Sequence, residues 1–283
     1  MPRLVLRVLT LVLGLATFCV PSMAQQNGIM AKLHSWGRFE PGTWRTVRVV
    51  TETLNEQGQV VSTSTTDTKT TLIGIDDGGV SLEVETCVEV AGTRFQSKPE
   101  VVKQGFYGET TGPNRKLKEP VDGEITIENR KIPCKIQELT TDGPISKTTI
   151  TLHYSTTVPP HVLKSVSVTA DAEGKNTASE TDTDVIAVDM PARVHGETRN
   201  GAYVRTVYKN GKGTVTTLAV VLPDVPGGVV SQSSKEVDKN GQLIRRSMLE
   251  LLDYNTDPEK DHSGIFGRKR PPRRTKQPTR YGS

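Results

Sequence analysis

Ser81-Leu82-Glu83-Val84-Glu85-Thr86-Cys87-Val88-Glu89-Val90 alternates without a break. Leu82, Val84, Thr86, Val88 and Val90 fall on one face, and Ser81, Glu83, Glu85, Cys87 and Glu89 on the other. A period of two is the mark of a half-buried strand. The same texture runs outward from it. Between Trp44 and Tyr254, Thr- and Val-rich runs are separated by Asp77-Gly78, Asn200-Gly201, Asn210-Gly211 and Asn240-Gly241, residue pairs that tolerate the positive φ of tight hairpins. Looser turns fall at Asn55–Gly58 and Ala172–Gly174. Strands are expected at Trp44–Leu54, Gln59–Thr66, Thr70–Ile75, Val80–Val90, Glu124–Glu128, Lys131–Thr140, Ser146–Ser155, Val162–Thr169, Thr181–Asp189, Ala202–Tyr208, Thr214–Leu222, Val229–Val237 and Gln242–Tyr254. Short connections favour antiparallel meanders. The expected fold is all-β: an antiparallel meander forming a strongly curved sheet or half-barrel, with a two-sheet sandwich as the alternative.

Composition agrees. Among 283 residues, 34% are hydrophobic and only 5% aromatic, and β-branched residues fit a pleated surface better than a helix interior. An internal repeat is visible at an offset of 67. Val158-Pro159-Pro160-His161-Val162 matches Val225-Pro226-Gly227-Gly228-Val229, and Asp171–Gly174 matches Asp238–Gly241. A looser copy starts at Pro41-Gly42-Thr43-Trp44. Such units bury their apolar faces only beside one another. By this analogy Gln242–Tyr254 is a strand, although Ile244, Met248 and Leu252 recur at helical spacing.

The N-terminus speaks to destination. Arg3 and Arg7 flank the start of an apolar run from Leu4 to Val20, and Ser22-Met23-Ala24 follows, the order of a secretory signal cleaved after Ala24. Residues 1–24 are assigned to it, and the product is expected to be secreted or periplasmic with no transmembrane segment after cleavage. Removing Arg3 and Arg7 lowers the formal charge from +4 to +2. The end of the chain then carries Arg268, Lys269, Arg270, Arg273, Arg274, Lys276 and Arg280 with no acid after Asp261. Residues 25–261 are therefore near −5, so the basic balance belongs to the tail and no specific nucleic-acid surface is expected on the body. The expected layout is a first β segment at 25–98, a linker at 99–122, a repeated β segment at 123–256 packed with the first, and a disordered basic tail at 257–283.

Chemistry is sparse. The five histidines lack metal-ligand spacing, and no nucleophile elbow, phosphate loop or dinucleotide fingerprint occurs. No catalytic residue, metal or cofactor is expected, and the protein is read as a non-enzyme. Export permits a disulfide, and Cys87 and Cys134 are the candidate pair. Their strand faces look opposed, so the residues leave open a bond or two separate thiols. Trp36 and Trp44, beside Arg38 and Arg45, are candidate ligand contacts; plugging the end of a core is the plainer role. The Thr-rich runs Ser62–Thr71 and Thr181–Asp184 read as exposed strands guarding an edge. The seven tail bases are candidate contacts to an anionic polymer or surface.

Pro41–Trp44, Ile132-Pro133-Cys134 and Val225–Val230 together resemble secreted bacterial β proteins of uncharacterised function. More remotely they resemble half-barrel envelope proteins of the lipoprotein-carrier kind. That resemblance implies a lipid-holding apolar concavity, usually closed by helices, and no helix is read here. The functional expectation is an exported non-enzymatic β protein binding an apolar or polymeric envelope component, a lipid or an envelope polymer. The alternative is an adhesive wall protein acting through its tail.

Overall fold

The computed structural model describes residues 23–109 and 114–258. The proposed signal run before Met23 and the basic tail lie outside the described residues. One helix, α1 (Met23–Leu33), precedes fifteen strands: β1 (Trp44–Leu54), β2 (Val60–Asp76), β3 (Gly79–Val90), β4 (Thr93–Gln96), β5 (Glu100–Gln104), β6 (Arg115–Leu117), β7 (Val121–Ile127), β8 (Arg130–Asp142), β9 (Ser146–Tyr154), β10 (Val162–Asp171), β11 (Thr177–Val194), β12 (Glu197–Asn210), β13 (Gly213–Val221), β14 (Val229–Asp238) and β15 (Leu243–Asn255). All belong to a single sheet in the order β4-β3-β2-β1-β15-β14-β13-β12-β11-β10-β9-β8-β6, with β5 also on β3 and β7 also on β8. Every pairing is antiparallel. The all-β meander is as expected; the sandwich alternative is excluded because the described residues form one sheet and no second.

Local chemistry places the turns at the two ends of the strands. At one end the tips are closed by side-chain oxygens: Asn55 Oδ1 accepts from the Gln57 and Gln59 N–H groups (3.1 and 2.9 Å), and Asp238 Oδ1 from those of Asn240 and Gln242 (2.8 and 2.9 Å). Gly58 and Gly241 supply the positive φ these turns require (75° and 84°). At the other end the chain turns through Pro-containing corners. Ser155 N–H donates to the His161 carbonyl and Leu222 N–H to that of Gly228, both at 2.8 Å. His161 N–H returns to Val158 and Gly228 N–H to Val225 (3.0 and 2.8 Å). His161 and Gly228 share a positive φ near the same value (78° and 77°).

The sheet curls, and a cluster at the corner end shows which face is inside. Leu72, Val80 and Leu82 from β2 and β3 share one apolar cluster with Leu139, Ile150, Leu152 and Tyr154 from β8 and β9. These strands lie near opposite ends of the sheet order. Their common face must therefore turn inward on itself. The chain crosses from β5 at one edge to β6 at the other, and Phe106 and Tyr107 on that crossing enter the cluster. The Glu109 carboxylate, only 2% exposed, meets Arg115 on β6 at 2.7 Å. A second cluster forms where the β7–β8 hairpin folds back: Ile127, Ile132 and Cys134 pack on Leu163, Val185, Val188 and Ala202.

Toward the hairpin end the inner face changes character. Ser165, Thr183, Thr206, Thr217, Ser234, Ser247, Thr51 and Ser64 are successive cross-strand partners on eight adjacent strands. Thr183 and Thr206 are bonded at 3.1 Å, and Thr217 and Ser234 at 2.9 Å. Short side chains suit the inside of a curl, where neighbours converge, and paired hydroxyls satisfy one another.

Five expectations need correction. Asn200-Gly201 is not a turn: both residues lie inside β12, paired with Pro191 and Met190 on β11. The Thr-rich runs are not edges: β2 lies between β1 and β3, and β11 between β10 and β12. Their polarity on both faces reflects the hydroxyl row inside and solvent outside. Gln59–Thr66 and Thr70–Ile75 are one strand, β2, because Asp67–Lys69 pair without interruption on both sides. The stretch 99–122 carries β5 and β6 as well as connection. A helix is present where none was read: α1 inserts Met30 and Leu33, 1% and 6% exposed, into the corner-end cluster. The expected cleavage point after Ala24 falls within α1. No helix among the described residues is long and apolar enough to cross a membrane.

Candidate functional site

The inside of the corner end is packed, and one of the two candidate ligand contacts, Trp36, is part of the packing. Trp36 is 4% exposed and lies in the same cluster as Met30 and Leu33. Arg45 sits over its ring, Cζ 5.5 Å from the centroid, and donates to the Val229 carbonyl at 3.1 Å. Desolvation lowers the Arg45 pKa to about 10. The 222–229 corner closes on this pair. Gly227 donates its N–H to the Ser35 carbonyl at 3.0 Å. A Cβ at position 227 would lie 2.7 Å from Arg45 Cζ and 2.8 Å from Trp36 Nε1. Nothing larger than glycine fits at this position, so the corner closes directly on the Trp36 ring and the Arg45 guanidinium. Trp44 is half-buried on the other side of β1 under the Lys69 ammonium, 4.8 Å from its ring.

His34 anchors the helix to this plug. Its Nδ1 accepts from the Trp36 and Gly37 N–H groups (3.3 and 3.2 Å), and Arg38 donates to the carbonyls of Leu33, His34 and Pro223. The last carbonyls of α1 thereby gain the partners a helix end lacks.

Both candidate disulfide cysteines are buried free thiols. Cys87 takes a hydrogen bond from Arg94 Nε at 2.8 Å. Cys134 belongs to the β7–β8 cluster, and burial raises its pKa. The two sit on different strands in different environments. Alkylation under denaturing, non-reducing conditions is expected to label both Cys87 and Cys134 in full; a peptide linking them through sulfur would contradict the structure.

An open apolar surface crosses the outer face. Val50 on β1, Met248 on β15, Ser233 on β14 and Leu218 on β13 are successive cross-strand partners, and Tyr203 and Val220 form the neighbouring pair. With Ile186 on β11 they line a groove in two parts that share Ser233, of about 400 Å³ and 250 Å³. Met248 is 68% and Leu218 52% exposed. From β1 to β11 it crosses six strands, roughly 24 Å at the usual strand spacing. Contiguous exposed apolar side chains with a few polar groups at the rim are the usual mark of a binding surface. On one rim stand Glu52 and Arg246, which form an ion pair. Among the described residues no group of three or more His, Cys, Asp or Glu side chains is placed to hold a metal. The seven basic tail residues lie outside the described residues.

No protein-family model matches the chain, and no curated protein sequence matches it. Three solved structures are similar to it. A protein described as exported, with a YmcC-like fold, from Bacteroides fragilis is 10% identical, with 77% of this chain and 97% of that one covered and a TM-score of 0.30. A protein described as a lipoprotein from Parabacteroides distasonis is 14% identical, with 76% and 97% covered and a TM-score of 0.29. A DUF1329 family protein from Desulfovibrio piger is 9% identical, with 83% and 92% covered and a TM-score of 0.35.

Proposed function

We propose that this chain is an exported, non-enzymatic β protein that holds an apolar chain of a cell-envelope component in the groove on the outer face of its sheet. One observation carries the reading: the inner concavity is occupied at its corner end by the protein's own side chains, while the apolar row from Val50 to Ile186 is uncovered. Export rests on the charged, apolar, small-residue order at the N-terminus. The repeated corners at an offset of 67 belong to the same proposal, as a unit used more than once to build the sheet. A second reading, adhesion through the tail, rests on the contrast between seven clustered bases and a body near −5.

The groove reading is tested with N-phenylnaphthylamine, a neutral apolar fluorophore. The wild-type protein is expected to bind it with a rise in emission. Leu218→Asp with Met248→Asp changes two exposed side chains and is expected to weaken binding by about tenfold or more, since each buried side chain of this size contributes about 2 kcal/mol. Equal emission from both proteins would remove the reading.

A further inference from the structure

The groove has a charged rim that its apolar lining does not explain. Lys235 on β14 and Arg246 on β15 are direct cross-strand partners on the outer face, one step toward the hairpin end from the Ser233–Met248 pair. Like charges placed directly opposite each other destabilise a sheet. Arg246 is balanced by Glu52, its partner on β1. Lys235 faces Thr216 on its other side and has no ion pair among the described residues. The spot therefore keeps one uncompensated positive charge beside the part of the groove lined by Val50 and Met248. The neighbouring pair on the inner face is arranged the other way, with Arg245 meeting Glu236 at 3.3 Å.

We propose, on the reading that the groove binds an apolar chain, that its ligand is a long-chain fatty acid anion whose carboxylate rests between Lys235 and Arg246. The alkyl chain then runs from β15 across Ser233 and Leu218 to Tyr203 and Ile186. A carboxylate supplies the missing negative charge and relieves the repulsion between the two cations. The Thr216 hydroxyl is on the adjacent strand in the same row, a further hydrogen-bond donor for the head. Along Met248 and Val50 the row is one apolar side chain wide, flanked by Arg246, Glu250, Arg48 and Glu52, and it widens at Leu218 and Val220, which suits a single chain rather than a paired one.

The test compares dodecanoate with neutral dodecyl maltoside, both below their micelle concentrations, by calorimetric titration of the full chain. The wild type is expected to bind dodecanoate about fivefold more tightly, a preference that shrinks as salt rises. Lys235→Gln, at an exposed site, is expected to remove the preference while leaving dodecyl maltoside binding unchanged. Equal affinities in the wild type, or a preference that survives Lys235→Gln, would overturn the head-group assignment and leave the groove standing. Failure of both ligands to bind would remove the groove and this inference with it.

Discussion

Leu139→Ala is expected to lower the unfolding free energy by about 2–5 kcal/mol, the range for truncating a fully buried leucine. Leu139 is 1% exposed and stands opposite Ile150 on β9. Its cluster also contains Leu72, Val80 and Leu82 from the far end of the sheet order, with Met30 and Leu33 from α1. Truncation therefore leaves a void where two walls and the helix converge, and no single strand can shift to fill it without giving up its register. Denaturant unfolding monitored by tryptophan emission is the measurement, since Trp36 lies in the same cluster. A loss under 1 kcal/mol would mean that the two ends of the sheet do not rest on one another.

Acid is expected to loosen the same region through His34. Burial, with added repulsion from the Arg38 guanidinium, lowers its pKa from 6.5 to about 4. The folded protein thus holds this imidazole neutral, as its role as acceptor for two N–H groups requires. An unfolded chain takes up the proton first as pH falls. The stabilising contribution is complete above about pH 6.5, declines between 6.5 and 4, and levels off below 4, where both states are protonated. The full loss is about 3 kcal/mol. The packed surroundings add the Phe106 ring, 5.9 Å away and uncharged. His34→Asn keeps an acceptor in place but does not titrate. The difference in stability between wild type and His34→Asn is expected to be flat above pH 6.5 and to shift against the wild type down to pH 4. A difference independent of pH across that window would show that His34 is already protonated in the fold.

Much of the architecture could be read from the chain because its causes are local. Asn55, Asn210, Asp238 and their glycines set turns within a few residues, and a period of two marks β3 and β9 unaided. The shared corner chemistry also settled β15. Met248, which suggested helical spacing, points outward while Leu249 and Leu251 point in, a strand pattern blurred by an exposed apolar residue. Other elements left weaker marks. α1 has no acid in its first turn and carries Gly28 in its middle, so it lacks a helix start signal and an apolar stripe. β5 and β6, five and three residues long, are too short to show alternation. The candidate groove escaped entirely. Val50, Ile186, Leu218 and Met248 come from four separate strands, and only the register places them in one row. Trp36 and Trp44 attracted notice because aromatic residues are scarce, but that the first is buried in the corner-end cluster and the second half-buried outside it depends on the fold.

The first strand lies against the last. β1 has β2 on one side and β15 on the other, so residues about two hundred positions apart meet in the middle of the sheet. Contacts of such long range form late and slowly. Synthesis must therefore reach β15 before the middle of the sheet can close, so the centre of the fold is the part that waits for the end of the chain.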